Sequence, residues 1–181
     1  MVVNHSVKDI FEFISNVDDI NVNGKQMLSL DVASLFTNVS IIETTKFICQ
    51  QILEKQFDIR ILVAFKMYYE CTLHIQQPLL QTNRRHCHGF SIGAILEDFF
   101  LAKVENGPLK KLIEKTDSYF RHVDDTFIIL DVKADKNEVL IKFNDAHPSL
   151  MFTCEEEYDG RLHSLDVQLN RRELSIENQH L

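Results

Sequence analysis

Apolar and polar positions change period several times along this chain, and the changes mark out its elements. Val7 to Val17 carry apolar side chains at helical spacing and predict a short helix. Asn23-Gly24 is a turn signal leading into Leu28 to Val39, a strand-like apolar run with one acid, Asp31, in its middle. Ser40-Ile41-Ile42-Glu43 fits a capping box, and Ile41, Thr45, Ile48 and Ile52 follow at helical spacing. Asp58 is placed to cap a second helix through about Cys71, with Ile59, Leu62 and Val63 inward. Ile92, Ile95, Leu96, Phe99, Phe100 and Val104 form an apolar helical stripe, with Glu97, Asp98 and Glu105 expected opposite. Two aromatic and β-branched runs flank Asp124-Asp125 between Ser118 and Leu130, which predicts a hairpin with both acids near its tip. Asp135 to His147 reads as a capped helix. Strands follow at Leu150 to Glu157 and Leu162 to Leu169, around an Asp159-Gly160 turn.

This order predicts one folded α+β unit, with helices on one face of a largely antiparallel sheet. No internal repeat or low-complexity tract interrupts it. A polymerase-type palm with a split β-α-β topology is compatible, although element order alone does not select it.

The acids carry the chemistry. An Asp inside an apolar strand is costly to bury as an ion unless something pairs with it. Adjacent carboxylates repel and hold protons unless a cation neutralises them. Asp-Asp is also ordinary turn chemistry, and the pair alone would be read that way. If Asp31 comes beside the hairpin tip, however, Asp31, Asp124 and Asp125 form a cluster able to hold two Mg²⁺ ions about 4 Å apart, an arrangement suited to phosphoryl transfer.

At these residues the chain resembles a family. Leu28 to Val39 resembles motif A of reverse transcriptases, and His122-Val123-Asp124-Asp125 resembles their motif C. The particular wording resembles that of Penelope-like retroelements. Their Ser-x-Asp-Val-x-Ser-Leu-Phe-Thr-Asn-Val is nearly reproduced by Ser29 to Val39, and their Arg-Tyr-Val-Asp-Asp-Thr-Phe by Arg121 to Phe127. Phe152 to Glu157, Asp159 to Leu162 and Leu165-Asp166-Val167 resemble the strands that follow. The likeness spans about Gln26 to Asn170, leaving residues 1–25 as a lead-in and 171–181 as a tail.

The resemblance implies a palm-like domain for an RNA-directed DNA polymerase. Asp31, Asp124 and Asp125 would be its catalytic metal ligands, joined by the backbone at Val32, with Mg²⁺ (or Mn²⁺) as cofactor. Ala33 and Phe36 would contact the incoming deoxynucleoside triphosphate, Phe36 lying under its sugar; by position alone Phe36 is a core aromatic. Gly89, Phe90 and His122 would face an RNA or DNA template with its primer. Motif B departs from the family. Where Gly-Ser-Pro-Leu-Gly-Pro is usual, this chain has Gly89-Phe90-Ser91-Ile92-Gly93-Ala94, which puts a bulky ring in place of a small serine. His122 replaces the usual motif C tyrosine and keeps a flat, hydrogen-bonding ring. Asp166 matches a family acid, or is a charge at a strand edge.

Charge and length complicate this reading. With 19 Lys and Arg against 27 Asp and Glu, the net charge of −8 has the wrong sign for a free-standing nucleic-acid binder. The family keeps its basic contacts on fingers and thumb, and the stretches flanking the likeness are too short to build them or an endonuclease. The expectation is an incomplete copy with little activity alone, or a catalytically silent palm remnant that only folds or binds a partner. Cys71, His74, His86, Cys87 and His88 raise a third reading, a small zinc-binding module, although neighbours in the His-Cys-His triplet cannot all point one way. Arg84-Arg85 is a phosphate contact or a solvated pair, and Glu155 to Glu157 a solvated strand edge. Four cysteines without paired spacing, and no signal-peptide or membrane-span pattern, suggest a reduced intracellular setting.

Overall fold

The strand expected over Leu28 to Val39 forms only in part, as β1 (Lys25–Val32), because the chain turns at residues 33–34 into a one-turn helix at residues 35–38; β1 lies inside a four-stranded antiparallel sheet. The computed structural model describes residues 5–18, 20–54, 91–172 and 175–180. Strand order is β2-β3-β1-β4, where β2 is Ser118–His122, β3 Asp125–Asp131 and β4 Phe152–Glu156. Five residues of β1, Met27 to Leu30 and Val32, are buried although they alternate in direction, because both faces of the sheet are covered.

On one face, Met27, Phe127 and Ile129 pack with helix α1 (Ile10–Val17) and with a second sheet. Asp9 caps α1 by accepting the Glu12 amide at 2.9 Å, and Phe13 and Val17 turn inward at helical spacing. Phe13 meets Phe127 edge-on at 5.4 Å. The second sheet is β5 (Arg161–Ser164), β6 (Val167–Arg172) and β7 (Ser175–His180), which contributes Leu162, Val167 and Leu169 to the same core. Residues read as a tail thus continue this sheet as β7.

The opposite face holds helices. Phe143 of α6 (Lys136–Asn144) stacks on Tyr119 and meets Phe152 edge-on at 5.1 Å. Helix α4 (Ser91–Asn106) delivers Glu105 to the same side, and a one-turn helix, α5 (Lys110–Ile113), follows it.

The chain divides into two compact units, residues 1–35 with 104–181, and residues 36–103. The second contains α3 (Ile41–Glu54), most of the one-turn helix α2 (Leu35–Asn38) and most of α4. Half of the expected capping box is seen, since Ser40 Oγ accepts the Glu43 amide at 3.4 Å. The Glu43 carboxylate takes Lys103 Nζ at 2.6 Å.

Two expectations fail. Ile95 of α4 is 48% exposed while Glu97 and Glu105 are buried, so the helix does not present the stripe read from its apolar residues. For Glu105 the cause is a buried cation and phenol on the sheet, described below. The strand expected over Leu162 to Leu169 also breaks. Leu165 and Asp166 both adopt positive φ (52° and 60°) and join β5 to β6 as a two-residue turn, as a type I′ hairpin requires.

Candidate active site

Register builds the site. In the β1–β3 ladder Asp31 lies directly opposite Asp125, and the row continues to His122 on β2 and Thr153 on β4. Paired residues share a face, so both carboxylates lie on the side that carries Met27 and Phe127, at the end of the sheet where β1 finishes. Asp124 sits in the two-residue loop between β2 and β3. Its carbonyl accepts the Val32 amide at 3.3 Å, tying the loop to the end of β1. The other loop residue, Val123, has φ 54°, unusual for a β-branched side chain.

A buried network supports this hairpin from the helical face. Arg121 and Glu105 are almost fully buried, and Arg121 Nε donates to Glu105 Oε1 at 2.6 Å. Tyr119 Oη donates to the same oxygen at 2.9 Å, and Arg121 Nη1 reaches the Val123 carbonyl at 3.3 Å. The strand edge outside β2 is covered by the N-terminal segment, where Val7 donates to the Arg121 carbonyl and Arg121 to that of His5. Burial of the Tyr119 phenol, with Glu105 beside it, pushes its pKa well above the usual tyrosine range. None of this network was read from the sequence. The available signal was Arg121 itself, a charge two residues from Tyr119 in a strand and so on the same face.

The carboxylates are strained electrostatically. Burial first, then the charges of Asp124, Asp31 and Asp166, pushes Asp125 up to about 6, with His122 acting in the opposite sense. Asp31 is also raised, by burial and then by Asp124 and Glu155, while the Val32 amide opposes the shift. Asp166, left open by the sequence, is exposed in the β5–β6 turn, and its charge acts on Asp125.

The remaining expected residues are placed as follows. The Ala33 amide donates to the Met151 carbonyl at 2.9 Å, so this donor is already committed inside the protein. His122 Nδ1 lies 3.2 Å from the Val7 carbonyl, which anchors the ring at the sheet edge. Phe36 belongs to α2, and its side chain lies outside the described part. Gly89 and Phe90, the Asp58 helix, Arg84-Arg85 and the Cys71 to His88 constellation also lie outside the described residues. Glu155 and Glu156 sit on the edge strand β4 as expected. Glu157 departs from that reading, because both its oxygens bind the Arg171 guanidinium at 2.6 Å. Among the described residues, no three His, Cys, Asp or Glu side chains converge closely enough to hold one metal ion. No described helix is long and apolar enough to cross a membrane.

No protein-family model matches the chain, and no curated protein does. Among solved structures it is similar to apo telomerase from Candida tropicalis truncated from its C-terminal domain, with a TM-score of 0.60 at 14% identity. The match covers 97% of this chain and 41% of that one, so the chain spans about two fifths of the telomerase's length. At this identity the likeness establishes the fold, an α+β palm-like arrangement, and nothing finer.

Proposed function

We propose that the chain is a reverse-transcriptase-type palm, and that Asp31, Asp124 and Asp125 form its nucleotidyl-transfer site. The observation that carries this reading is the pairing of Asp31 with Asp125, beside a loop holding a third acid, on one face of an antiparallel sheet. The motif wording of Penelope-like retroelements and the fold shared with a telomerase support the same reading.

The residues suit a divalent ion. Asp125 is held near 6 by burial and by its neighbours' charges, a repulsion that a cation would relieve. Magnesium is usually bound by one or two carboxylates and completed by water and substrate phosphates, so a closed three-residue protein cage is not required. Asp31 and Asp125, with Asp124 and the Val32 carbonyl, would hold it. When bound, Mg²⁺ (or Mn²⁺) supplies charge stabilisation at a transferred phosphoryl group. The chain's own part is positioning: the β1–β3 ladder fixes two acids at one spacing, and the buried Arg121–Glu105 pair holds the loop that carries the third. Partners on this reading are an RNA or DNA template with primer and deoxynucleoside triphosphates.

A second reading, a catalytically silent palm, is favoured by the absence of a three-ligand cluster among the described residues. Mn²⁺ titration separates the two. Paramagnetic broadening that starts at Asp31, Asp124 and Asp125, is displaced by Mg²⁺ and accompanies primer extension lost in Asp124→Asn supports the polymerase. If metal never localises to the row and no nucleotide is added, the polymerase reading fails.

A further inference from the structure

On the helical face of the sheet, away from the carboxylate row, α5 and the C-terminal end of α6 line an open groove of about 340 Å³. Its apolar lining is Pro108, Leu109, Leu112 and Ala146. Around that lining stand Lys111, Lys115 and Lys142, opposed by one acid, Asp145. The concentration of positive charge is local, since the chain as a whole carries −8.

The lysines are available. All three are exposed, and Lys111 and Lys115 make no ion pair among the described residues. Lys142 pairs with Glu138 one helical turn away, but that is an exposed contact of the kind worth little, so a new anion competes with it easily. Neighbouring Lys110 leans toward Glu114 at 3.9 Å and adds no lining of its own.

We infer that this groove is a docking site for an acidic segment of a partner protein, a stretch with an apolar anchor flanked by carboxylates. Charge complementarity selects the flanks, because three ammonium groups surround one pocket of an otherwise acidic chain. The lining selects the anchor. Leu109 is itself buried, but a nucleic-acid backbone presents phosphates and sugars and would leave the half-buried Leu112 and Ala146 without apolar contact on their open side, whereas a Leu or Phe side chain fills such a pocket. The charges are lysines, point charges that suit scattered carboxylates, where planar bidentate recognition of phosphate favours arginine. A partner bound here covers the helices and leaves the carboxylate row open, so this inference stands whether or not the row has activity.

The test uses the full chain and a fluorescein-labelled peptide, Asp-Glu-Asp-Leu-Phe-Glu-Asp-Glu, followed by fluorescence anisotropy and by amide shifts. Controls are the Asn/Gln version of the peptide and an oligothymidylate of equal charge. The acidic peptide should bind in a salt-dependent way and shift amides at residues 108–115 and 142–146. Lys111→Glu with Lys115→Glu should weaken it roughly tenfold or more. An off-site pair, Lys8→Glu with Lys133→Glu, should leave it unchanged while altering net charge equally. Absence of binding, equal binding of the neutral peptide, or equal loss in the off-site pair would overturn the inference. So would tighter binding of the oligothymidylate lost on the same pocket substitutions, which would assign the pocket to nucleic acid.

Discussion

Replacing Arg121 by Met removes the cation from a site where Arg121 is 1% and Glu105 2% exposed. The guanidinium holds Glu105 Oε1 at 2.6 Å, and Tyr119 Oη holds the same oxygen at 2.9 Å, while Glu105 Oε2 is buried with no hydrogen-bond partner among the described residues. Without Arg121 the carboxylate keeps one phenol and no counter-charge. Breaking one side of a buried pair typically costs about 3–5 kcal/mol. Against a usual domain stability of about 5–15 kcal/mol, that is from about a fifth of the total to all of it. The double variant Arg121→Met with Glu105→Met removes both charges and should recover most of the loss, because an apolar pair of similar volume often matches a buried ion pair. Urea unfolding followed by circular dichroism measures both as changes in midpoint at constant slope. Arg121 also bonds the Val123 carbonyl at 3.3 Å, so amide exchange at Asp124 and Asp125 should quicken even in the stable double variant. A single variant within about 1 kcal/mol of the parent would refute the reasoning, since a buried, unpaired carboxylate cannot be that cheap.

Three further outcomes are expected. Asp125, raised from 3.8 to about 6 in the fold, binds more protons folded than unfolded between those values. Stability should therefore fall as pH rises through that window, and Asp125→Asn should be more stable than the parent above pH 6, on the order of 1 kcal/mol after solvent screening, and equal below about pH 4, by thermal melts across pH. Mg²⁺ should raise the melting temperature near neutral pH, stabilising by about 2.7 kcal/mol at a hundredfold excess over Kd and growing with the logarithm of concentration beyond it, and Asp31→Asn should abolish this; a parent insensitive to Mg²⁺ and Mn²⁺ counts against a metal site. Val123→Gly relieves positive φ at an exposed β-branched residue and should stabilise the hairpin or leave it unchanged, whereas a clear loss would mean that Val123 makes contacts outweighing its strain.

What the sequence disclosed was what is local. An acid in an apolar run, two acids between β-formers and a capping Asp135 are each readable within ten residues; the β2–β3 hairpin and α6 formed as expected, and the strand around Asp31 formed only as far as Val32. Register is not local. Nothing in either segment says that Asp31 faces Asp125, and only the family resemblance put them together before the ladder did. The face of α4 was misread because charged residues are placed outward by default, and the compensation for Glu105 comes from Arg121, sixteen residues away. The β5–β6 turn was missed because Leu165 is a poor turn residue, buried and yet at positive φ.

These misreadings converge on one place. Among the described residues, five non-glycine residues have positive φ: Ser34, Val123, Asp159, Leu165 and Asp166. Four of them flank the acid row. Ser34 follows shortly after Asp31, Val123 precedes Asp124, and Asp166, whose charge acts on Asp125, follows Leu165. A buried ion pair supports the same hairpin from behind. Strained backbone, like-charged carboxylates and buried charge each cost free energy, and nothing about folding a sheet requires them to coincide. Chains tolerate such violations mainly where a site needs side chains held in an otherwise unfavourable arrangement. The Asp159-Gly160 turn is the useful contrast: it too has positive φ, but it is ordinary turn chemistry bridging Tyr158 and Arg161. Leu165 and Asp166 share that explanation, since their own two-residue turn requires positive φ, so the strain that turn chemistry leaves unexplained here is that of Ser34 and the β-branched Val123. That coincidence is an argument for function independent of any motif, and it predicts that substitutions relieving strain there will stabilise the fold while weakening whatever the acids bind.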